Sequence, residues 1–353
     1  MFSIFSTETL DLFSAFSSIS SRLHSMASPY LLLLLLIPVL PLIFLLVLAF
    51  LARPRPAKVP VKGRHVFITG GSSGIGLAMA LQAASEGARV SILARNQAKL
   101  EEARDTIRLA TGKEVTILSA DVRDAESVAR AIEEAGPIDI LIANQGVFIP
   151  QELELQDMKE IRFQVEVNLM GTFHLIKAAL PGMRQNTRKT GLPASIAIIS
   201  SQAGQVGVYG YTAYSASKFA LRGLAEALQH EVISDKIHVS LVFPPDTETP
   251  GLAEEQKRRP ELTNLIVASS GGMKADAVAK KALDGIKSGT FIVSCNFEGV
   301  MLAIATAGLS PQSSYLTAFF EVFGAGFMRF VGLCFQWNWF TIIEKFNAKN
   351  NRS

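Results

Sequence analysis

Residues 65–76 read HVFITGGSSGIG. His65 to Thr69 is a short apolar run of strand character, Gly70 to Gly76 is a glycine-rich turn, and a helical run follows to Gly87. Strand, glycine turn and helix in that order make a pyrophosphate site. Glycines let the backbone approach the ligand closely, and the helix N-terminus offers free N–H groups and the positive end of its dipole. Gly70, Ser72, Ser73, Gly74, Ile75 and Gly76 are therefore candidates for binding a dinucleotide. A turn that merely packs helix on strand would carry similar letters, but the strand before and the helix after favour the ligand.

The chain beyond this turn repeats the alternation. Val90 to Ala94 is a second strand ending in Arg95. An acidic residue there would suit a ribose 2′-hydroxyl, whereas an arginine suits a 2′-phosphate, so the cofactor expected is NADP(H), with Ser72 and Lys99 assisting. Val115 to Ser119 is a third strand, and Asp121 beyond it is placed either to meet the adenine edge or, like Asp124, to cap a helix. Ile138 to Ala143 is a fourth, closing in Asn144-Gln145-Gly146. Ligands bind outside the carboxyl ends of parallel strands, which makes Asn144 and Gly146 cofactor candidates. Strands and helices alternate at intervals of about 25 residues from His65 to Val293, the pattern of a doubly wound parallel sheet (Rossmann) in an α/β domain.

A second stretch carries the chemistry. Residues 196–220 read IAIISSQAGQVGVYGYTAYSASKFA. Tyr214 and Lys218 are four apart and share one face of a helix. A free phenol has a pKa of about 10, and a cation beside it favours the phenolate. A hydroxyl from Ser200 or Ser201 can hold a carbonyl oxygen. Asn168 is a polar amide inside a long helical segment from about Met158 to Leu180.

Together these residues resemble the short-chain dehydrogenase/reductase family, over roughly Lys62 to Ser294. The match rests on TGGSSGIG at Thr69 to Gly76, Asp121-Val122, Asn144, Gly146, Asn168, and Ser201 with YSASK from Tyr214 to Lys218. One departure is Ala143-Asn144-Gln145-Gly146, where the family usually shows NNAG. The resemblance implies that Tyr214 donates a proton to a carbonyl oxygen and that Lys218 holds the nicotinamide ribose and lowers the tyrosine pKa. It implies that Asn168 holds a water in the proton relay. The family's serine lies thirteen residues before the tyrosine, which selects Ser201, with Ser200 adjacent. The loop PPDTETPG, Pro244 to Gly251, contains Thr247 as a further cofactor candidate and replaces the family's usual Pro-Gly start. With the SSQAGQVG run, it resembles the membrane-bound branch that reduces 3-keto long-chain bases. That implies NADPH, a lipid substrate, and sphingolipid synthesis at the endoplasmic reticulum. A membrane-anchored steroid or retinol dehydrogenase is the competing enzyme. A non-catalytic NADP-binding scaffold is the competing non-enzyme, against which the complete Asn168, Ser201, Tyr214, Lys218 set argues.

Composition adds the membrane. Apolar residues make up 49% of the 353-residue chain and charged residues 18%. A net charge of +3 is too slight to suggest nucleic acid, and neither the two cysteines nor the five histidines form a metal-ligand pattern. Residues 1–28 read as a disordered N-terminus. Residues 29–52 read as a transmembrane anchor, uncharged from Tyr30 to Leu51 and kinked by Pro38 and Pro41. A cleaved signal peptide is disfavoured by its length and by the basic residues that follow, which place the catalytic domain on the cytosolic side. Residues 53–61 (RPRPAKVP from Arg53 to Pro60) are a Pro-rich linker, 62–295 the Rossmann reductase domain, 296–346 an apolar membrane-associated helical hairpin, and 347–353 a polar tail. The hairpin is expected to turn at Ser310-Pro311 and to be embedded or interfacial, because Glu321 and Arg329 are costly at mid-membrane. Leu252 to Gly272 reads as a mobile lid. The membrane and a lipid substrate are the expected partners, and self-association as a homo-oligomer is admitted.

Overall fold

The computed structural model describes residues 39–52, 58–268 and 271–350, with Leu34 and Ile37. The predicted disordered segment 1–28, most of the linker and Pro38 lie outside the described residues. Seven strands form one parallel sheet: β1 His65–Thr69, β2 Arg89–Ala94, β3 Thr116–Ser119, β4 Ile140–Ala143, β5 Ala194–Ile199, β6 Ile237–Phe243 and, after two short strands, β9 Ile292–Ser294. Their order is β3-β2-β1-β4-β5-β6-β9, every neighbour parallel. The order reverses between β1 and β4, and a crevice opens there at the strand carboxyl ends.

Both faces of the sheet are covered, so its central strands are buried throughout. Alternation along β1 decides which core each side chain joins. Phe67 packs with Leu93, Leu141, Ile196 and Phe243 beneath α4 (Ala125–Ala135), α6 (Gly171–Thr190) and α7 (Thr212–Val232). Val66 and Ile68 pack on the other side, with Val90, Ile92 and Ile142, beneath α2 (Gly74–Ser85), α3 (Gln97–Thr111) and α10 (Ala275–Lys287). Helix starts follow capping chemistry: Asn96 accepts from Lys99 N, and Asp124 from Glu126 N and Ser127 N.

The expected single helix from Met158 to Leu180 is interrupted. It comprises α5 (Met158–Val165), a π-helical turn at Glu166–Met170, and α6. The expected lid holds two short helices, α8 (Pro250–Gln256) and α9 (Glu261–Val267). They are flanked by a two-stranded parallel pair, β7 (Thr247–Glu248) with β8 (Met273–Lys274).

The C-terminal region is two helices of unequal length joined by a turn. α11 (Phe297–Ala305) has 9 residues, too few to cross a bilayer. α12 (Tyr315–Asn350) is one helix of 36 residues, running through the predicted 346 boundary, and is long and apolar enough to cross, with an 18-residue stretch of mean hydropathy 1.5. Met328 is its buried residue, whereas Phe320, Phe323, Phe327, Phe330 and Trp337 are exposed. The turn between α11 and α12 is gripped by α7. Arg222 donates to the Ala307 carbonyl at 2.8 Å and to Ser310 Oγ at 2.7 Å, and Glu226 accepts from Ser310.

The chain divides into two compact units. One holds the reductase fold together with residues 320–350 of α12. The other holds the apolar N-terminal helix α1 (Val39–Ala52) and residues 314–319, where the Phe44 and Phe319 rings meet edge-on with centroids 6.4 Å apart.

Candidate active site

The sequence places four candidate side chains between the end of β5 and the first turns of α7. Ser200 N bonds to the Val242 carbonyl at 2.8 Å, continuing the ladder one residue past β5. The chain then turns through a 3₁₀ segment, Gln202–Gly204, whose start is capped by Ser201 Oγ accepting from Ala203 N at 3.1 Å. Gly204 lets this turn lie against α7, because a β-carbon there would come within 2.9 Å of the Lys218 carbonyl oxygen. The two serines then part. Ser200 Oγ donates to the Lys218 carbonyl at 3.0 Å, inside the protein, whereas the Ser201 hydroxyl is hydrogen-bonded to the Tyr214 phenol.

Tyr214 and Lys218 do share a face of α7. Lys218 Nζ is 5.7 Å from the Tyr214 ring centroid and donates to the Ile199 carbonyl at 2.9 Å. Burial lowers the Lys218 ammonium to about 8. The tyrosine differs from the expectation that lysine would lower it. Burial pushes the phenol up to about 12; the Ser201 hydrogen bond pulls it down, and the carboxylates of Asp246 and Glu255 push it further up. Loss of hydration outweighs the Ser201 hydrogen bond, so at neutral pH the phenol keeps its proton.

Asn168 is held by protein partners. Its Oδ1 accepts from Val147 N at 2.8 Å, and its Nδ2 donates to the Val147 carbonyl and to Ser217 Oγ, both at 2.9 Å. The amide thus ties the π-helical turn to the strand end after β4 and to α7, and Oδ1 keeps a second lone pair. Gln145, the departure from NNAG, is buried beside it. Its Oε1 accepts from Thr69 Oγ1 at 2.6 Å, and its Nε2 donates to Thr172 Oγ1 at 2.9 Å, linking β1 to the start of α6.

The glycine turn fits a pyrophosphate. Gly70 and Gly74 have φ of 62° and 55°, the left-handed region that favours glycine. A β-carbon on Gly76 would collide with the Gly70 carbonyl oxygen and lie 2.6 Å from Asn144 Nδ2. Asn144 Nδ2 donates to the Thr69 and Gly70 carbonyls at 3.1 and 3.3 Å, so it fixes the turn. Ser73 stands as N-cap of α2 with its hydroxyl making no capping bond, and Ile75 is half-buried in the first turn. Ser72 lies half-buried in the same turn, while Arg95 and Lys99 are exposed beyond the end of β2. Asp121 is engaged by Arg123, at 2.7 Å to Oδ2, which holds its carboxyl below the usual range.

One cavity of about 730 Å³ joins these parts. Its lining includes Gly70, Gly74, Gly146 and Thr247 from the glycine turn and strand ends, Ser201, Tyr214 and Lys218, and the apolar side chains of Met301, Met328, Phe335 and Trp339. Thr247 is buried, its Oγ1 donating to the Pro245 carbonyl at 2.8 Å. Sequence reasoning missed Phe148, whose ring packs 5.3 Å from that of Tyr214, and Thr249, which touches Gly74 and caps α8. It also missed a charged cluster whose carboxylates act on Tyr214. Tyr211 donates to Glu255 at 2.5 Å, Glu255 pairs with Arg259 at 2.7 Å, and Arg259 pairs with Asp246 at 2.9 Å. The PPDTETPG motif pointed to Asp246, but no local pattern links it to Glu255 and Arg259.

Comparison with known proteins agrees with this geometry. The short chain dehydrogenase family model matches residues 64–260. The 3-dehydrosphinganine reductase TSC10A of Arabidopsis thaliana is 62% identical over 302 residues, covering 86% of this chain and 92% of the relative. The 3-ketodihydrosphingosine reductase of Mus musculus is 36% identical over 303 residues, covering 84% and 89%. Among solved structures, a Brucella melitensis 3-ketoacyl-(acyl-carrier-protein) reductase complexed with NADH superimposes with a TM-score of 0.60 at 27% identity, covering 66% of this chain and 97% of that one. A Burkholderia phymatum short chain dehydrogenase/reductase in complex with NAD gives 0.59 at 27% identity, covering 67% and 90%.

Proposed function

The chain belongs to the short-chain dehydrogenase family, and we propose that it reduces the ketone of 3-dehydrosphinganine (3-ketodihydrosphingosine) to the alcohol of sphinganine, using NADPH. It is an oxidoreductase of a lipid. The observation that carries the reading is the cavity itself: Tyr214, Ser201 and Lys218 share it with a glycine-turn cradle suited to a dinucleotide and with an apolar lining from α11 and α12.

A bound nicotinamide dinucleotide supplies the hydride. Gly70 to Gly76 and the N-terminus of α2 would hold its pyrophosphate, Asn144, Gly146 and Thr247 border its path, and Arg95 with Lys99 and Ser72 favours a 2′-phosphate. Lys218, with an N–H bonded to Ile199, has two more to offer a ribose. The protein then manages the ketone oxygen. Ser201 donates to it and fixes its position, and Tyr214 delivers the phenolic proton as negative charge builds there. A phenol that holds its proton at neutral pH is in the right state to give one.

The apolar wall suits an acyl chain. Met328, Phe335 and Trp339 come from α12, the helix long enough to cross a bilayer, so the tail of a membrane lipid reaches the cavity along that helix. We place the protein in the endoplasmic reticulum membrane, anchored also by the segment 29–52, with the reductase domain facing the cytosol. The basic residues after Leu51 support that orientation. The test is an assay of detergent-solubilised protein with NADPH and 3-dehydrosphinganine, beside a steroid ketone and retinal. Turnover of the keto base at the highest kcat/KM is expected. Preference for the steroid or retinal, or turnover of none, overturns the reading.

A further inference from the structure

Gln205 is a buried polar residue to which the mechanism above gives no task. It is 4% exposed and lines the cavity four residues after Ser201. Its backbone is bonded, N to the Gln202 carbonyl at 2.9 Å, yet neither Oε1 nor Nε2 of its side chain has a hydrogen-bond partner. Nearby glutamines behave differently: Gln145 is bonded at both ends of its amide, and Gln202 Nε2 donates to Asn296 Oδ1 at 2.9 Å. Leaving a buried amide unbonded costs on the order of 1–3 kcal/mol per group. The penalty is removed when a ligand brings both a donor and an acceptor.

A second observation lies in the same cavity. Asp246 lines it, 38% exposed at its side chain, and is held by Arg259 through Oδ2 at 2.9 Å, so Oδ1 has no protein partner and is open to a ligand. Arg259 is shared with Glu255, whose side chain is 0% exposed. The cluster thus contains two carboxylates against one guanidinium, and its surplus is negative. In a partly desolvated site that surplus favours a cation.

We propose that Gln205 and Asp246 form a receptor for a polar head attached to the reacting ketone, Gln205 bonding a hydroxyl as both donor and acceptor and Asp246 balancing an ammonium. The ligand class is a long-chain 2-amino-1-hydroxy-3-ketone. The proposal rests on the function given above and deepens it, since it names the residues that separate such a ketone from a plain one. A hydroxyl alone would satisfy Gln205, but the unpaired carboxylate oxygen asks for positive charge as well.

The test uses the full-length, detergent-solubilised protein and three ketones of equal chain length: the amino-alcohol ketone, its N-acetyl derivative, and a 3-ketone lacking both head groups. Wild type should favour the first over the last by about 100-fold or more in kcat/KM, the discrimination expected of a site built to hydrogen-bond its substrate. Gln205→Met, similar in volume and apolar, should narrow that ratio by about 10-fold or more through loss on the headed ketone, with the plain ketone changed by less than about threefold. Asp246→Asn should narrow the preference for the free amine over its N-acetyl derivative. Turnover of the plain ketone reports that each variant is folded, and Gln205→Leu replaces the methionine variant should that fail. Equal losses on headed and plain ketones, or a wild type indifferent to the head group, overturn the proposal and leave the reductase reading intact. A wild type inactive on all three overturns the reductase reading and the proposal together.

Discussion

Ser200 Oγ donates to the Lys218 carbonyl at 3.0 Å, whereas the neighbouring Ser201 hydroxyl is bonded to the Tyr214 phenol. Adjacent serines therefore have different partners, and Ser201 is the one that the thirteen-residue spacing to Tyr214 favours. Ser201→Ala should lower kcat by about 100- to 1,000-fold, as for loss of one donor to a developing oxyanion. Ser200→Ala should leave kcat within a few-fold and lower stability by about 1 kcal/mol. Steady-state kinetics and urea unfolding of both variants check the division.

Tyr214→Phe removes the proton and keeps the ring that packs against Phe148 and Tyr211. Reduction should fall by about 100- to 10,000-fold. Binding of NADPH, followed by its fluorescence, should change little, because the glycine turn is untouched. Loss of binding in parallel with turnover would assign Tyr214 to cofactor retention.

Lys218 carries a pH signature. Its ammonium is lowered to about 8 in the native protein, against about 10.4 in the unfolded chain. Between those values the unfolded state binds the extra proton, so stability contributed by this site rises with pH and levels off above the upper one. Below pH 8 both states are protonated and the burial penalty is complete. Tyr214 acts in the opposite sense, since a phenol raised to about 12 loses stability as pH climbs from 10. The stability difference, wild type minus Lys218→Met, should climb from pH 8 to about 10.4 in cofactor-free protein. A flat difference would show that Lys218 is solvated.

Arg95 is expected to set cofactor choice. Arg95→Asp would set a repulsive carboxylate where a 2′-phosphate is expected and should raise the KM for NADPH by about 10- to 100-fold, the worth of a charged hydrogen bond. The KM for NADH should hold or fall. Unchanged NADPH kinetics would transfer the role to Lys99 or Ser72.

Arg222→Ala should loosen the turn between α11 and α12. Hydrogen exchange across residues 306–313 should quicken, and KM should rise for long-chain ketones more than for short soluble ones. Equal effects on both would confine Arg222 to the stability of α7.

Much of this was legible in the chain because local chemistry specified it. Gly70, Gly74 and Gly76 announce a turn that other residues cannot make, and Tyr214 and Lys218 fall at helical spacing. What stayed hidden depended on partners distant in sequence. The π-helical turn at Glu166–Met170 has the same apolar periodicity as an ordinary helix, so its letters did not reveal it. Asn168 was expected to hold a water and Asp121 to meet the adenine edge or cap a helix; the protein partners they also have, Val147 and Arg123, were not legible. Tyr214 was expected to be acidified by its lysine, and burial reverses that, a quantity that spacing alone does not contain. The apolar end read as a turn between two arms, and the chain continues its second arm unbroken to Asn350.

The grip of Arg222 on Ala307 and Ser310 has a mechanical meaning. Tyr214 and Arg222 lie eight residues apart on α7, about two helical turns. Any tilt or slide of the turn between α11 and α12 is delivered to the rod that carries Tyr214, as through a stiff lever rather than a slack tether. Lateral pressure in a bilayer would then enter the reaction's own geometry.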